Sequence, residues 1–241
     1  MSNSFKESKA IIVEGNIGAG KSTFLRLIKD LLDVQIVYEP HEQWQDIGGE
    51  NLLDSFYKNK KRWTYTFQSY AFITRIKAQE LADKTSASRL QILERSVYSD
   101  RYCFAKNLFE MGDMSSLEWK LYQDWWGWFV QHYTKKPSGF IYLQTPPEVC
   151  YQRLLKRARS EEVSVPLDYL SMLHAKHESW LIDKQGIDSY IKDVPVLVLD
   201  CTEDFESNPE LCKKYAQQIV DFFAFDCNLD LPIHKDLSLT L

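Results

Sequence analysis

The chain has 241 residues, with 29 lysines and arginines against 34 aspartates and glutamates, a net charge of −5. That mild acidity argues against a nucleic-acid partner, which needs a basic footprint. Values of 44% apolar and 26% charged residues exclude disorder for most of the chain.

The start, MSNSFKESKA, has no apolar core and only Lys6 and Lys9 as basic residues. It reads as neither a secretory nor a transit segment, so a cytoplasmic protein is expected. Short β-branched runs then alternate with longer helical stretches, the pattern of a parallel α/β sheet flanked by helices. A first strand is expected over Ala10–Glu14 and a helix over Lys21–Leu32, with Phe24, Leu25, Ile28, Leu31 and Leu32 at helical spacing. A second strand is expected over Gln35–Glu39, a helix over Tyr65–Ala82 and a third strand over Leu90–Glu94. Helices over Tyr98–Glu110 and Ser116–Tyr133 lead to a strand over Phe140–Gln144, a helix over Pro147–Arg159 and a fifth strand over Val196–Asp200. Residues 1–225 read as one domain and 226–241, which contain Pro232, as a loosely held tail. No apolar run reaches the ~18 residues of a membrane helix, so no membrane partner is expected. The five cysteines (Cys103, Cys150, Cys201, Cys212 and Cys227) have no metal-type spacing and read as reduced thiols.

Between the first strand and its helix, Gly15-Asn16-Ile17-Gly18-Ala19-Gly20-Lys21-Ser22 fits the phosphate-loop pattern G-x-x-x-x-G-K-[ST]. Glycines let backbone N–H groups curl round phosphate oxygens, and the following helix adds the positive end of its dipole. Lys21 puts a cation on the β- and γ-phosphates, and the Ser22 hydroxyl can ligate Mg²⁺. A GTPase would carry a guanine reader N-K-x-D, and Asn59-Lys60-Lys61-Arg62 lacks its Asp. A small kinase remains, which needs an acceptor site and a lid. Three expected strands end in an acid (Glu14, Glu39 and Glu94). Ligands bind beyond the carboxyl ends of parallel strands, so these carboxylates are expected to cluster at the site.

Trp119, Tyr122, Trp125, Trp126, Trp128 and Phe129 are too many aromatics for one core-facing stripe and suggest an interface. His174 and His177 lack a third metal ligand and read as helix surface.

At Glu94-Arg95-Ser96, followed by Val97-Tyr98-Ser99-Asp100-Arg101-Tyr102, the sequence resembles the deoxynucleoside kinase family, most of all its deoxycytidine and deoxyguanosine kinase branch. The resemblance runs from about Lys9 to Phe223. It includes Glu39-Pro40, Arg62-Trp63, Thr66-Phe67-Gln68, Tyr122-Gln123-Asp124-Trp125 and His177-Glu178-Ser179-Trp180-Leu181. It implies a P-loop kinase fold with a five-stranded parallel sheet and an arginine-rich lid. It also implies transfer of the γ-phosphate of ATP, or another nucleoside triphosphate, to a deoxynucleoside 5′-OH.

By this resemblance Glu39 is the general base, Glu94 and Ser22 hold Mg²⁺, and Arg95 meets the 5′-oxygen and the transferring phosphoryl group. Gly15 to Ser22 and Thr23 hold the donor with Arg153 and Arg157. Arg153, Arg157 and Arg159 form the lid, and Lys21, Arg157 and Arg159 act on the phosphoryl group. Glu203, Asp204 and Phe205 lie near the donor base. Tyr57 and Glu162 meet the sugar 3′-OH, and Phe67 and Phe104 hold the nucleobase. Gln68 can pair with the base's hydrogen-bonding edge, and Arg75 lies seven residues on, about two helical turns. An Arg75–Asp100 pair with Ala71 points to cytosine and purine deoxynucleosides and away from thymidine. Trp44, Leu53 and Phe56 complete the wall, and the family's homodimers imply a homodimer. Two other readings stay open on the residues alone: a nucleoside-monophosphate kinase, and a nucleotide-binding subunit without turnover.

Overall fold

A computed structural model describes residues 9–85, 90–162 and 164–227. Its strands β1 (Lys9–Glu14), β2 (Gln35–Val37), β3 (Leu90–Glu94), β4 (Gly139–Gln144) and β5 (Val196–Asp200) form one all-parallel sheet in the order β2-β3-β1-β4-β5. The helices of the first half are α1 (Lys21–Leu31), α2 (Glu42–Gln45), α3 (Leu52–Lys58) and α4 (Lys60–Thr85). After β3, α5 (Val97–Ser99) runs through a π-helical turn, Asp100–Ala105, into α6 (Lys106–Glu110), and α7 (Ser116–Tyr133) follows. Then come α8 (Pro147–Arg157), a 3₁₀ turn Ser160–Glu162, α9 (Leu167–His177), α10 (Ser189–Lys192) and α11 (Pro209–Cys227).

Helix-covered parallel strands are buried on both faces, which is why β1, β3 and β4 are near-continuous apolar runs. The pleat sends Ile11 and Val13 into a layer with Phe24, Leu25 and Ile28 of α1, Leu154 of α8, Leu170 of α9 and Phe223 of α11. It sends Ala10 and Ile12 into the opposite layer with Phe72 of α4, Tyr98, and Tyr122 and Trp126 of α7. A third cluster, Trp44, Leu53, Phe56, Phe67 and Ala71, joins α2, α3 and α4 beyond the carboxyl end of the sheet.

The structure departs from the sequence reading at several boundaries. β2 stops at Val37, so Glu39 stands two residues past the strand, ahead of Pro40, which has no N–H for a ladder. α8 ends at Arg157 because Ala158 adopts the left-handed conformation (φ 53°), which puts Arg159 off the helix. His177 is fully buried rather than on the surface. Its ring stacks on Tyr142 and meets Phe104 edge-on. Burial pushes its pKa down to about 3.

The aromatics of α7 divide. Tyr122 and Trp126 are core, while Trp125, Trp128, Leu117 and Leu121 are exposed. The thiols of Cys103, Cys150, Cys201 and Cys212 are buried and unbridged, and that of Cys227 lies outside the described side chains. α11 carries Asp226 and Cys227. The rest of the expected tail, 228–241, and residues 1–8, on which the targeting expectation rests, lie outside the described residues. Among the described residues no helix is long and apolar enough to cross a membrane.

Candidate active site

The phosphate loop links β1 to α1 as its sequence predicts. Gly18 (φ 80°) presses against α8 so closely that a Cβ would lie 2.3 Å from the Cys150 carbonyl oxygen. Gly20 (φ 92°) precedes the first turn of α1, where a Cβ would meet the Phe205 ring at 2.8 Å. Asn16 Nδ2 donates to Leu170 O at 2.8 Å and ties the loop to α9. Lys21 is buried, and its ammonium donates to Asn16 O at 2.7 Å and Gly15 O at 3.2 Å. Ser22 Oγ donates to Glu94 Oε1 at 2.5 Å. A loop whose close approaches admit only glycine, at a helix N-terminus beside a buried lysine, is built to receive phosphate oxygens. Among the described residues no three His, Cys, Asp or Glu side chains form a metal cage. The Ser22–Glu94 pair instead suits Mg²⁺, which takes one or two protein oxygens and completes its shell with phosphates and water.

Across the cleft, Arg75 of α4 is a buried hub. Its Nε and Nη2 donate to the two carboxylate oxygens of Asp100 at 2.9 and 3.0 Å. Nη2 also reaches Glu39 Oε1 at 2.9 Å, and Nη1 reaches Glu94 O at 3.2 Å. Burial pushes the Glu39 carboxyl upward, but Arg75, Arg95 and Lys21 outweigh it and hold its pKa at about 2. Arg95 is itself in the left-handed region (φ 63°), held there as its backbone N–H donates to Val13 O at 2.9 Å. Left-handed backbone is strained in a residue with a side chain, and such strain concentrates at functional sites. The Arg95 guanidinium lies over the Phe104 ring, 4.7 Å from its centroid, and its Nη1 is buried without a hydrogen-bond partner among the described residues. A buried cationic donor left open beside a phosphate loop is matched by an anionic ligand.

The wall beyond Arg75 is aromatic. Phe56 and Phe67 stack at 4.7 Å, and Trp44 packs edge-on against Phe67 while its indole N–H donates to Thr74 Oγ1 at 2.9 Å. Leu53 and Ala71 fill the space between. Gln68 is 3% exposed, yet its amide has no protein hydrogen-bond partner among the described residues and lines the cleft. Over the donor side, Arg157 pairs with Glu162 Oε2, and Arg159 lies 3.6 Å from Glu162 Oε1. Arg153 donates to Ala19 O at 3.3 Å and Glu203 O at 2.8 Å and lies over the Phe205 ring. It thus stitches the phosphate loop to the loop after β5.

These residues line one cleft of about 1130 Å³. That is more than the ~300–1,000 Å³ of a one-ligand pocket, so there is room for a donor and an acceptor. The deoxynucleoside kinase family model matches residues 11–224.

The chain belongs to the deoxynucleoside kinase family.

Deoxycytidine kinase of Homo sapiens is 42% identical to this kinase over 227 residues, covering 84% of this chain and 87% of its own. Deoxycytidine kinase 2 of Gallus gallus is 41% identical over 227 residues, covering 84% and 86%. The mitochondrial deoxyguanosine kinase of Xenopus laevis is 42% identical over 229 residues, covering 86% of each chain. The kinase is a phosphotransferase with an alcohol acceptor, taking its phosphate from a nucleotide and passing it to a nucleoside.

Most residues singled out from the kinase's sequence line the cleft: Ile17, Gly18, Gly20, Lys21, Ser22, Thr23, Glu39, Trp44, Leu53, Phe56, Tyr57, Phe67, Gln68, Arg75, Glu94, Arg95, Asp100, Phe104, Arg153, Arg157, Arg159, Glu162, Asp204 and Phe205. Gly15, Asn16 and Ala19 are buried behind its surface, and Glu203 is exposed outside it, with its backbone oxygen bonded to Arg153. Glu14 does not join the other strand-end acids. It is fully buried on the far side of β1 and accepts from Ser96 Oγ at 2.5 Å. Burial pushes its carboxyl up to about 7 against the opposing charge of Arg95. Tyr38, His41, Gln43, Gln45, Lys156 and Tyr169 also line the cleft. Every residue from Tyr38 to Gln45 lines the cleft, and the Glu39-Pro40 pair near its start is the signal that could have placed that stretch at the site. Tyr169, from α9, has no local signal.

Proposed function

We propose that this kinase transfers the γ-phosphate of ATP, or another nucleoside triphosphate, to the 5′-OH of a cytosine or purine deoxynucleoside. Deoxycytidine, deoxyadenosine and deoxyguanosine are its acceptors, and the 5′-monophosphate enters nucleotide salvage. The observation that carries this reading is the Arg75–Asp100 pair in the same cleft as the Gln68 amide, which no described residue meets with a hydrogen bond. Together they make the inner end of the acceptor pocket a set of fixed donors and acceptors, suited to an amino-bearing base edge and not to a methyl group. Relatives named deoxycytidine kinase and deoxyguanosine kinase support the same acceptors.

In this reading the nucleobase lies between Phe67 and the Phe104 side, with Trp44, Leu53 and Phe56 around it. Tyr57 and Glu162 receive the sugar 3′-OH. The 5′-OH then faces Glu39, an ionised acceptor that orients the hydroxyl and takes its proton as the oxygen attacks. Arg95 offers its open Nη1 to the developing charge. Lys21, Arg157 and Arg159 neutralise the phosphoryl oxygens, with planar guanidinium donors suited to charge spread over three of them. Ser22 and Glu94 would hold Mg²⁺, which when bound neutralises β- and γ-phosphate charge. Asp204 and Phe205 edge the donor base. The exposed Trp125, Trp128, Leu117 and Leu121 face of α7 supports a homodimer, and a cytoplasmic location fits salvage.

The test is a panel of the four natural deoxynucleosides and deoxycytidine monophosphate as acceptors, with ATP and Mg²⁺. Deoxycytidine and the purine deoxynucleosides should give higher kcat/KM than thymidine. A thymidine value at or above all of theirs, or transfer to the monophosphate alone, would overturn the reading.

A further inference from the structure

Glu161 belongs to the 3₁₀ turn that follows the arginines Arg157 and Arg159, but its carboxylate does not line the cleft. It is 9% exposed. Its Oε1 accepts two hydrogen bonds, from Gln45 Nε2 at 2.7 Å and Asn51 Nδ2 at 3.1 Å, and its Oε2 accepts from Ser160 Oγ at 2.9 Å. Gln45 is the last residue of α2, next to Trp44 in the nucleoside wall. Asn51 caps α3, where its Oδ1 accepts from Asp54 N at 2.8 Å, and α3 carries Leu53, Phe56 and Tyr57. One carboxylate oxygen therefore joins the turn beside the phosphate-facing arginines to both short helices of the nucleoside wall. A second contact runs alongside, between Arg159 Nη1 and His41 Nε2 at 3.2 Å.

We infer that Glu161 is a positioning residue that ties the Arg157–Glu162 segment to helices α2 and α3, so that occupancy of the nucleoside half of the cleft sets the arginines over the donor half. This rests on the assignment of the two halves made above. The physical basis is that neutral amide donors on a carboxylate make strong, directional bonds, and that losing either donor leaves a nearly buried charge short of partners. Glu161 stays ionised throughout the working range: its Gln45 bond leads the effects that hold its carboxyl at about 2. Gln45 lines the cleft from α2 and Asn51 does not line it, and the bonds that join both to the Arg157–Glu162 segment end on Glu161.

The test exchanges the bond's polarity. Gln45→Glu sets two carboxylates against each other, whereas Glu161→Gln combined with Gln45→Glu restores one donor–acceptor pair with the roles reversed. Gln45→Glu alone should raise KM for deoxycytidine and for ATP together, each at least fivefold, and erase any tightening of ATP by bound nucleoside. The double variant should recover both constants to within about threefold of wild type. Asn51→Asp keeps the α3 cap and repels Glu161, so it serves as a second single variant with the same expected loss. Hydrogen exchange at residues 160–162, faster in the single variants and slowed again in the double, reads the tie without turnover. Single variants that leave both KM values and the exchange unchanged, or a double variant no better than the singles, would overturn the inference. A wild-type enzyme that phosphorylates no deoxynucleoside would overturn the assigned function instead, and the exchange data would still decide the tie.

Discussion

Arg75 donates to Glu39 Oε1 across 2.9 Å while the same guanidinium grips both oxygens of Asp100. The residue assigned to recognise the base is thus in direct contact with the residue assigned to take the proton. Glu39 is held ionised, at about 2, by Arg75, Arg95 and Lys21 against the upward push of burial. Glu39→Gln keeps the shape and one acceptor oxygen but removes the charge. Its kcat should fall roughly 10²- to 10³-fold, with the nucleoside KM within a few-fold of wild type. Steady-state kinetics decide this, and a loss below tenfold would remove Glu39 as the base. Because its folded pKa lies below the ordinary 4.5, the wild-type enzyme should show no acid limb from Glu39 in the neutral range.

Asp100→Ala takes one of two carboxylates from Arg75 and leaves a buried cation with Glu39 as its single carboxylate partner, beside the Glu94 backbone oxygen. Breaking a buried pair on one side costs about 3–5 kcal/mol, and the remaining Glu39 contact places this case near 3. Urea denaturation should show that loss. The thymidine-to-deoxycytidine ratio of kcat/KM should rise, because the space and charge that exclude a methyl group are relaxed. An unchanged ratio would separate Asp100 from base selection.

How much of this was legible depends on the range of each interaction. The phosphate loop is readable because its chemistry is local: glycines, lysine and serine at fixed spacing, with a strand before and a helix after. Glu94 and Glu14 carry the same signal, an acid at a strand end, yet go to opposite sides. Glu94 lies opposite Val13 in the register, and Glu14 is one step further along β1, opposite Tyr142. One residue of pleat reverses the face, and no local pattern states which face holds the ligand. Arg153 and Arg157 share helical spacing, but the oxygens of Ala19 and Glu203 draw Arg153 toward the loop after β5. The bonds of Gln45 and Asn51 to Glu161 each span more than a hundred residues. Such contacts have no periodicity to read.

Gly18→Ala should be among the most damaging single-methyl changes in the protein. The left-handed conformation costs a side-chain residue roughly 1–2 kcal/mol, and here the methyl also meets a backbone oxygen of α8 at 2.3 Å. Nucleotide binding should be lost in equilibrium titration and the melting temperature lowered. Gly48→Ala is the matched control, with a similar φ of 64° and open space around it. It should cost about 1–2 kcal/mol and leave nucleotide affinity unchanged. Equal damage from both would show that strain alone, and not the α8 contact, governs Gly18.

Burial pushes the Lys21 ammonium down to about 7, with Arg95 adding to the shift and Glu39, Glu94 and Glu14 opposing it. Bound phosphates favour the charged form. Below pH 7 the lysine is already protonated, whereas above it binding must draw in a proton. ATP affinity should therefore weaken as pH rises above about 7, by at most ~tenfold per unit. Calorimetry at pH 8 in two buffers of different ionisation enthalpy should register proton uptake on binding. Zero uptake would count against a neutral Lys21.

The position of β1 has a consequence for how the protein is made. Of the five described strands it is the first to be synthesised but the middle one of the sheet, with Ile12 opposite Leu93 on one side and Phe140 on the other. A nascent chain therefore carries its nucleotide loop framed on one side at most, by β3, while α4 to α7 are made. That loop is framed on both sides only once Gly139–Gln144 has emerged. Ribosome-bound fragments that end before this strand should bind no nucleotide, and the long wait leaves an apolar strand exposed to chaperones before it can pair.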